Sequence, residues 1–132
     1  MDLFSRLKDM TILLIDDDEW IRHSLSLLFE GEGCPLVALE TAEEGLQALK
    51  NQDYDIIIAD YRLPRMDGLE FLKRIQESHR HAMKILITAY GNEKVVNEAN
   101  RIGIEGFIEK PFTAKTIEES LSRLIEEREE KK

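Results

Sequence analysis

Four short apolar runs in this chain of 132 residues end at side chains that could do chemistry. Asp16 and Asp17 follow the first run, and Asp60 closes a run of isoleucines. A later run ends at Thr88, and the last one ends at Lys110. Buried strands rarely end in carboxylates, because a carboxylate loses hydration where it approaches an apolar core. Three carboxylates, a hydroxyl and an ammonium group could together hold a divalent cation and take a phosphoryl group on an aspartate.

The three carboxylates are candidate ligands for Mg²⁺ or Mn²⁺. Carboxylates in one cleft repel each other, and a hard divalent cation with oxygen ligands relieves that repulsion. Asp60 is the candidate nucleophile, because a carboxylate can form an acyl phosphate. Lys110 can neutralise phosphoryl oxygens as a point charge, and Thr88 can donate a hydrogen bond to them. Pro111 follows Lys110, and the sequence leaves that peptide bond open between cis and trans.

The elements that must position these side chains follow from apolar runs and from helical periodicity. The runs are continuously apolar rather than alternating, which indicates parallel strands covered on both faces. The predicted strands are 11–16, 36–39, 54–59, 83–88 and 105–109. The predicted helices are about 19–30, from Thr41, from Asp67, about 92–102 and from about Thr113.

Five strands alternating with five helices predict an α/β fold. It is a doubly wound, flavodoxin-like, five-stranded parallel sheet of order 2-1-3-4-5, with helices on both faces. Ligands bind such sheets at the carboxyl ends of the strands, where the strand order reverses. That point lies between strands 1 and 3, which end near Asp16 and at Asp60. We therefore expect the carboxylates to meet in one cleft.

Composition bounds the class of protein. The net charge of −9 argues against a direct nucleic-acid footprint. Cys34 is the only cysteine, so no intramolecular disulfide is possible, and no apolar run is long enough to span a membrane. These features predict a cytoplasmic protein. The domain is expected over 9–126, after an N-terminal extension over 1–8 and before a charged helix end or connector over 127–132.

These motifs resemble the CheY-like receiver domain of two-component response regulators over about residues 9–126. The acidic pair at 16–17 matches the one that follows the first strand in that family. Residues 60–68 resemble its phosphoacceptor loop, in which the aspartate precedes Leu-Pro and then Asp-Gly. Residues 87–89 resemble its switch threonine with a small residue after it, and residues 110–112 resemble its Lys-Pro-Phe signature.

The resemblance implies a phosphorelay role rather than a metabolic enzyme. By it, Asp60 accepts phosphate from a histidine kinase or a phosphotransfer protein, and the chain catalyses at most its own phosphorylation and dephosphorylation. Asp17, Asp60 and the main-chain carbonyl of Arg62 bind Mg²⁺, with Asp16 acting through water. Tyr90, like Arg62, borders the phosphoryl group in the family. Trp20 is expected to pack at the rim of the first helix.

The resemblance also implies a route from phosphorylation to output. Thr88 moves toward the phosphoryl group and Phe107, in the position of the family's rotating aromatic, turns inward. The change reaches the face of the fourth helix, fifth strand and fifth helix. That face controls an output protein, an output domain outside this chain, or a second copy in a homodimer.

Two alternatives stay open from the residues alone. Asp16-Asp17-Asp18 also fits the Asp-x-Asp motif of haloacid-dehalogenase-type phosphatases, with Asp16 as the nucleophile. That reading leaves Asp60 without a role and lacks a later acidic pair. The second alternative is a receiver-like interaction module that no longer takes phosphate, which the intact set of acids opposes.

Overall fold

The computed structural model describes residues 2–89 and 91–130, with five strands and six helices in this part of the chain. The strands are β1 (Ile12–Ile15), β2 (Leu36–Leu39), β3 (Ile56–Asp60), β4 (Met83–Ala89) and β5 (Gly106–Lys110). The helices are α1 (Leu3–Leu7), α2 (Glu19–Gly31), α3 (Ala42–Asn51), α4 (Gly68–Ile75), α5 (Glu93–Arg101) and α6 (Ala114–Glu130).

The sheet has the predicted topology. All four strand pairs are parallel, and the order is β2-β1-β3-β4-β5. The predicted strand limits are right to within two residues. Asp60 and Lys110 are the last residues of β3 and β5, so their side chains are held by the ends of the ladders. Buried β1 and β3 lie at the centre, as their unbroken apolarity predicts.

The helices cover both faces of the sheet and enclose two apolar cores. On one face, α1, α2 and α6 bury residues such as Leu7, Phe29 and Leu121. On the other, α3, α4 and α5 bury residues such as Phe71 and Ala99. The sheet is therefore clamped between two layers, and the loops at its carboxyl edge remain free to carry a site.

Capping residues mark where several helices begin or end. Asp18 accepts hydrogen bonds from main-chain N–H groups in the first turn of α2. Thr41 and Glu44 form a reciprocal capping box at α3, and Asp67 caps α4. Gly103 adopts φ +89 just after α5, a conformation that favours glycine. Asp18 and Asp67 therefore mark the ends of the two loops that follow β1 and β3.

An unpredicted helix precedes the first strand, within the expected N-terminal extension. Leu7 of α1 is completely buried, and the ring of Phe4 packs edge-on against Phe29 with centroids 6.0 Å apart. Arg6 lies 3.5 Å from Glu129, which links α1 to the last turn of α6. The chain before β1 is therefore part of the core, because its apolar residues complete one of the two layers.

The last helix continues to Glu130, beyond the predicted domain limit at 126. The sequence predicts a charged helix end or connector over 127–132, and within it Arg128 donates hydrogen bonds to the carboxylate of Glu105 at 2.6 Å and to the carbonyl of His81 at 2.7 Å. The charged end is therefore attached to the amino edge of the sheet. Within residues 2–89 and 91–130, no helix has the length and apolarity needed to cross a bilayer.

Candidate functional site

The sheet brings the predicted site residues to one edge. Asp16 follows β1 and Asp60 ends β3, on neighbouring strands. Thr88 lies in β4, and the register pairs Ala89 with Lys110 at the end of β5. A cleft of about 400 Å³ opens here, and its walls include Asp60, Thr88 and Lys110.

The acidic cluster is compact and mostly buried. Oxygen atoms of Asp16, Asp17 and Asp60 all lie within 4.8 Å of one another. Asp16 is fully buried and Asp60 is 3% exposed, whereas Asp17 is exposed. Burial raises the pKa of Asp16 from 3.8 to about 6, and the neighbouring Asp60 charge adds to that rise. The hydrogen bond that Asp16 accepts from the Asp18 N–H opposes it.

Lys110 connects the buried carboxylates. Its Nζ lies 2.9 Å from Oδ1 of Asp60 and 3.8 Å from Oδ2 of Asp16. Burial raises the pKa of Asp60, and the Lys110 hydrogen bond partly offsets that rise. Burial alone would lower the pKa of Lys110, but its hydrogen bond and the carboxylate charges outweigh burial, so the pKa is raised. One ammonium thus faces a cluster of three carboxylates, which leaves an excess of negative charge.

The donor set fits a hard divalent cation. Oδ2 of Asp16 is buried and has no hydrogen-bond partner among the described residues. An unpartnered buried carboxylate oxygen is costly unless a ligand satisfies it. Asp16, Asp17 and Asp60 offer oxygen atoms at mutual distances that one cation can bridge. The carbonyl of Arg62 remains a predicted ligand, with Arg62 itself exposed in the loop after β3.

The two predicted switch residues lie on adjacent strands, β4 and β5. Thr88 is 1% exposed, and its Oγ1 has no hydrogen-bond partner in residues 2–89 and 91–130. Phe107 is half-buried and packs at the edge of the core under α3, α4 and α5. A groove of about 1010 Å³ between α5 and β5 is lined by Val96, Phe107 and Lys110 among others. The Thr88 hydroxyl can therefore turn to a new acceptor without losing a hydrogen bond to the described residues, and the groove leaves space beside Phe107.

The loop after β3 fixes the main chain beside Asp60. The Tyr61 N–H donates to the carbonyl of Ile87 at 2.8 Å, and the Gly68 N–H donates to the carbonyl of Tyr61 at 2.9 Å. A Cβ atom at Gly68 would overlap the carbonyl oxygen of Asp60. Glycine therefore lets the start of α4 approach the end of β3, and the Asp67-Gly68 pair seen in the sequence has a structural reason.

Some outcomes at the site differ from the sequence expectations. The prediction that Trp20 packs at the rim of α2 is wrong, because its side chain is 74% exposed. The Lys110-Pro111 bond, which the sequence left open, is cis. Tyr90 lies outside the described residues. Sequence reasoning also missed Arg22, whose guanidinium reaches the main chain of the acidic loop.

The fold and the site define a flavodoxin-like α/β domain with an acidic cluster and a lysine at the carboxyl edge of its sheet. Residues 12–122 match the family model described as the response regulator receiver domain. The chain belongs to that family. It is therefore a receiver domain of two-component signalling, which is regulatory rather than a metabolic enzyme.

Relatives and solved structures agree with this assignment. The chain is 35% identical over 124 residues to chemotaxis protein CheY-3 of Vibrio cholerae, covering 90% of this chain and 94% of that protein. It is 33% identical to the transcriptional regulatory protein FixJ of Bradyrhizobium diazoefficiens, covering 76% of this chain but only 49% of FixJ. The structure of CheY4 of Vibrio cholerae superposes with a TM-score of 0.81 at 25% identity, covering 87% and 98% of the two chains.

Proposed function

We propose that Asp60 is the phosphoacceptor of this receiver domain and that its phosphodonor is the phosphohistidine of a histidine kinase or a phosphotransfer protein. The observation that carries the proposal is the position of Asp60. Its carboxylate ends a central strand beside Asp16 and Asp17 and is hydrogen-bonded to Lys110. The carboxyl edge of a doubly wound sheet is where such folds bind ligands.

The proposed transfer is a single displacement at phosphorus, in which Asp60 replaces the donor histidine. An oxygen of Asp60 attacks the phosphorus atom, an O–P bond forms, and the P–N bond to the donor imidazole breaks. The electron pair of that bond stays on the imidazole nitrogen, which can then take up a proton. The 2.9 Å distance from Lys110 to Asp60 supports a role for this ammonium in neutralising charge on the phosphoryl oxygens. Thr88 supplies a hydroxyl that has no other partner among the described residues.

We further propose that Mg²⁺ is the resident cofactor, held by Asp17, Asp60 and the Arg62 carbonyl, with Asp16 acting through water. The ion supplies charge neutralisation between the carboxylates and the incoming phosphoryl oxygens. The excess of carboxylates over ammonium groups and the unpartnered Asp16 oxygen support this assignment. Mn²⁺ prefers similar oxygen ligands and should substitute.

Incubation with acetyl phosphate tests both parts of this proposal. We expect a single phosphate adduct by intact mass when Mg²⁺ is present. The adduct should disappear with excess chelator and in Asp60→Asn, because each removes a group that the transfer needs. Labelling that is equal with and without chelator would contradict the metal requirement, and labelling that persists in Asp60→Asn would contradict the phosphoacceptor.

We propose that the output face is formed by α5, β5 and α6. Movement of the Thr88 hydroxyl toward the phosphoryl group would open space under α5, and Phe107 borders the groove that could change shape. Such a step shifts a pre-existing equilibrium and does not create a new fold. Exposed or half-buried residues that line the groove on this face include Val96, Asn97 and Thr116. A protein partner, an output domain or a second copy is a better match to this mixed surface than DNA.

Amide chemical shifts with and without beryllofluoride, a phosphoryl mimic, test the output face. We expect changes at the site and also in residues 92–125. The change at the site follows from the mimic itself, so loops near Asp17 and Asp60 serve as the internal control. Changes limited to those loops, with 92–125 unaffected, would contradict the proposed face while leaving the phosphoacceptor in place.

A further inference from the structure

The side chain of Arg22 reaches back from the first turns of α2 to the acidic loop. Its Nη1 donates a hydrogen bond of 2.9 Å to the main-chain carbonyl of Asp16. This carbonyl belongs to the peptide that joins Asp16 to Asp17. The bond therefore acts on the short stretch of main chain from which two of the three carboxylates project.

Two further hydrogen bonds restrain Asp16. Its N–H donates to the carbonyl of Leu39 at 3.0 Å, which extends the contact between β1 and β2. Its Oδ1 accepts a hydrogen bond from the Asp18 N–H at 3.0 Å. Only Oδ2 is left over, buried and 3.8 Å from Lys110. With main chain and Oδ1 fixed, Oδ2 is directed toward the cluster.

Arg22 binds a main-chain carbonyl although several carboxylates lie close to it in the sequence. Four acidic residues, from Asp16 to Glu19, lie within six positions of it in the sequence. A carboxylate is a stronger partner for a guanidinium than a carbonyl is, because the pair is charge-assisted and often bidentate. Within residues 2–89 and 91–130, however, Arg22 forms no ion pair within 4.0 Å, and its hydrogen bond goes to a carbonyl. The carboxylates thus remain available to a cation.

We infer that Arg22 is a positioning residue for the divalent-cation site, which it serves by anchoring the peptide between Asp16 and Asp17 without occupying a carboxylate. This inference rests on the proposed metal-dependent function and adds a residue to it. Groups that hold metal ligands in place through hydrogen bonds contribute to affinity although they never touch the ion.

A positioning role for Arg22 and a simple effect of its charge predict opposite changes in Mg²⁺ affinity when Arg22 is replaced. Arg22 is cationic, so its charge repels Mg²⁺, and removal of that charge alone should tighten cation binding. Loss of the anchoring bond should weaken binding, because the two carboxylates then sample positions that one ion cannot bridge. The direction of the change in affinity therefore separates the two effects.

The test is calorimetric titration of Mg²⁺ into wild type, Arg22→Met and Arg22→Lys, with thermal melts of each protein in chelator. Arg80→Met is the matched control. It removes the same charge, but the Arg80 side chain is 79% exposed and lies before β4, at the opposite edge of the sheet. Affinity is measured on folded protein, so a role confined to stability would lower the melting temperature and leave the dissociation constant unchanged.

We expect Arg22→Met to raise the Mg²⁺ dissociation constant roughly ten-fold, the effect usual for such supporting groups. Arg22→Lys, which keeps the charge and one donor, should recover part of that loss, and Arg80→Met should bind as wild type does. Binding by Arg22→Met that equals or exceeds wild type would overturn the inference. If Arg22→Met does not fold, Arg22→Lys decides, since unchanged affinity there would also overturn it. Failure of wild type to bind Mg²⁺ would instead overturn the proposed function.

Discussion

The two edges of the sheet each hold a lysine, and the two lysines differ in what they bind. Lys84 at the amino edge is 2% exposed and donates to the main-chain carbonyls of His79 at 2.7 Å and Ala82 at 2.9 Å. Lys110 at the carboxyl edge binds carboxylates, and its side chain is 32% exposed. Burial lowers the pKa of Lys84, whereas carboxylate partners raise that of Lys110.

The difference separates structural from functional use of the same side chain. Main-chain carbonyls do not titrate and do not take up a metal ion or a phosphoryl group, so the partners of Lys84 stay the same when ligands bind. Carboxylates can bind a metal ion, take a phosphoryl group or take up a proton, so the partners of Lys110 can change. Stability should therefore depend more on the amino edge, and the response to ligands on the carboxyl edge.

Loss of the amino-edge lysine should have the largest effect on stability. We expect Lys84→Ala to lower the free energy of unfolding by about 2–4 kcal/mol, because it leaves a cavity and two carbonyls without their donor. Beryllofluoride should still stabilise the variant as much as wild type. Urea unfolding measures both, and Lys115→Ala, at a side chain that is 85% exposed, is the control. A loss of the beryllofluoride response in Lys84→Ala would contradict the claim that the amino-edge lysine affects stability but not the response to ligands.

Neutralisation of the buried Asp16 at the carboxyl edge should raise the free energy of unfolding, whereas loss of Lys84 lowers it. Burial raises the pKa of Asp16 from 3.8 to about 6, so the folded protein holds this proton more tightly than the unfolded chain does. The stability that Asp16 contributes is complete below about pH 4 and is lost as the pH rises through about 6. Without metal at pH 7.5, Asp16→Asn should therefore stabilise the protein by about 1–3 kcal/mol.

Asp16→Asn should also lose the stabilisation that Mg²⁺ gives to wild type. Mg²⁺ should raise the melting temperature of wild type and have little effect on Asp16→Asn, because a carboxylate near the ion is gone. The stabilisation by Asp16→Asn should also vanish near pH 4, where Asp16 is protonated in wild type. A variant that is less stable than wild type at pH 7.5 in chelator would show that the acidic cluster is not a site of unfavourable charge.

The smallest effect on stability is expected for Lys110→Ala. The side chain is partly solvated, so its loss leaves no large cavity, and the lost hydrogen bond to Asp60 should lower the free energy of unfolding by about 1–2 kcal/mol. The gain in melting temperature from beryllofluoride should nevertheless disappear, because the phosphoryl mimic loses its counter-charge. Equal gains in Lys110→Ala and wild type would remove the functional role assigned to the carboxyl-edge lysine.

The sequence predicts the fold well because the strands and helix starts are marked by residues that are adjacent in the sequence. Unbroken apolar runs mark the buried strands, and Thr41 with Glu44 or Asp67 with Gly68 mark helix starts within a few residues. The carboxyl-edge residues could be placed together because each closes a strand of known order. Apolar runs and capping pairs act on the main chain near them, so they can be recognised without knowing the fold.

The features that sequence missed depend on packing between distant segments. The apolar spacing of Leu3, Phe4 and Leu7 is too short to predict a helix, and α1 is stabilised by its contact with Phe29 and α6. Lys84 looks like an ordinary charged residue in the sequence, and its carbonyl partners become clear only when the loop between α4 and β4 folds back over it. Long polar side chains can reach many targets, so their partners become known only from the fold.

The most direct test of the account is to identify the residue that carries the acyl phosphate. Protein labelled with acetyl phosphate and Mg²⁺ is treated with borohydride, which reduces an aspartyl phosphate to homoserine, and the peptides are sequenced by mass spectrometry. We expect homoserine at position 60 and unmodified aspartate at positions 16 and 17. Homoserine at position 16 would instead indicate the haloacid-dehalogenase-type chemistry, and it would contradict the assignment of Asp60 as the phosphoacceptor.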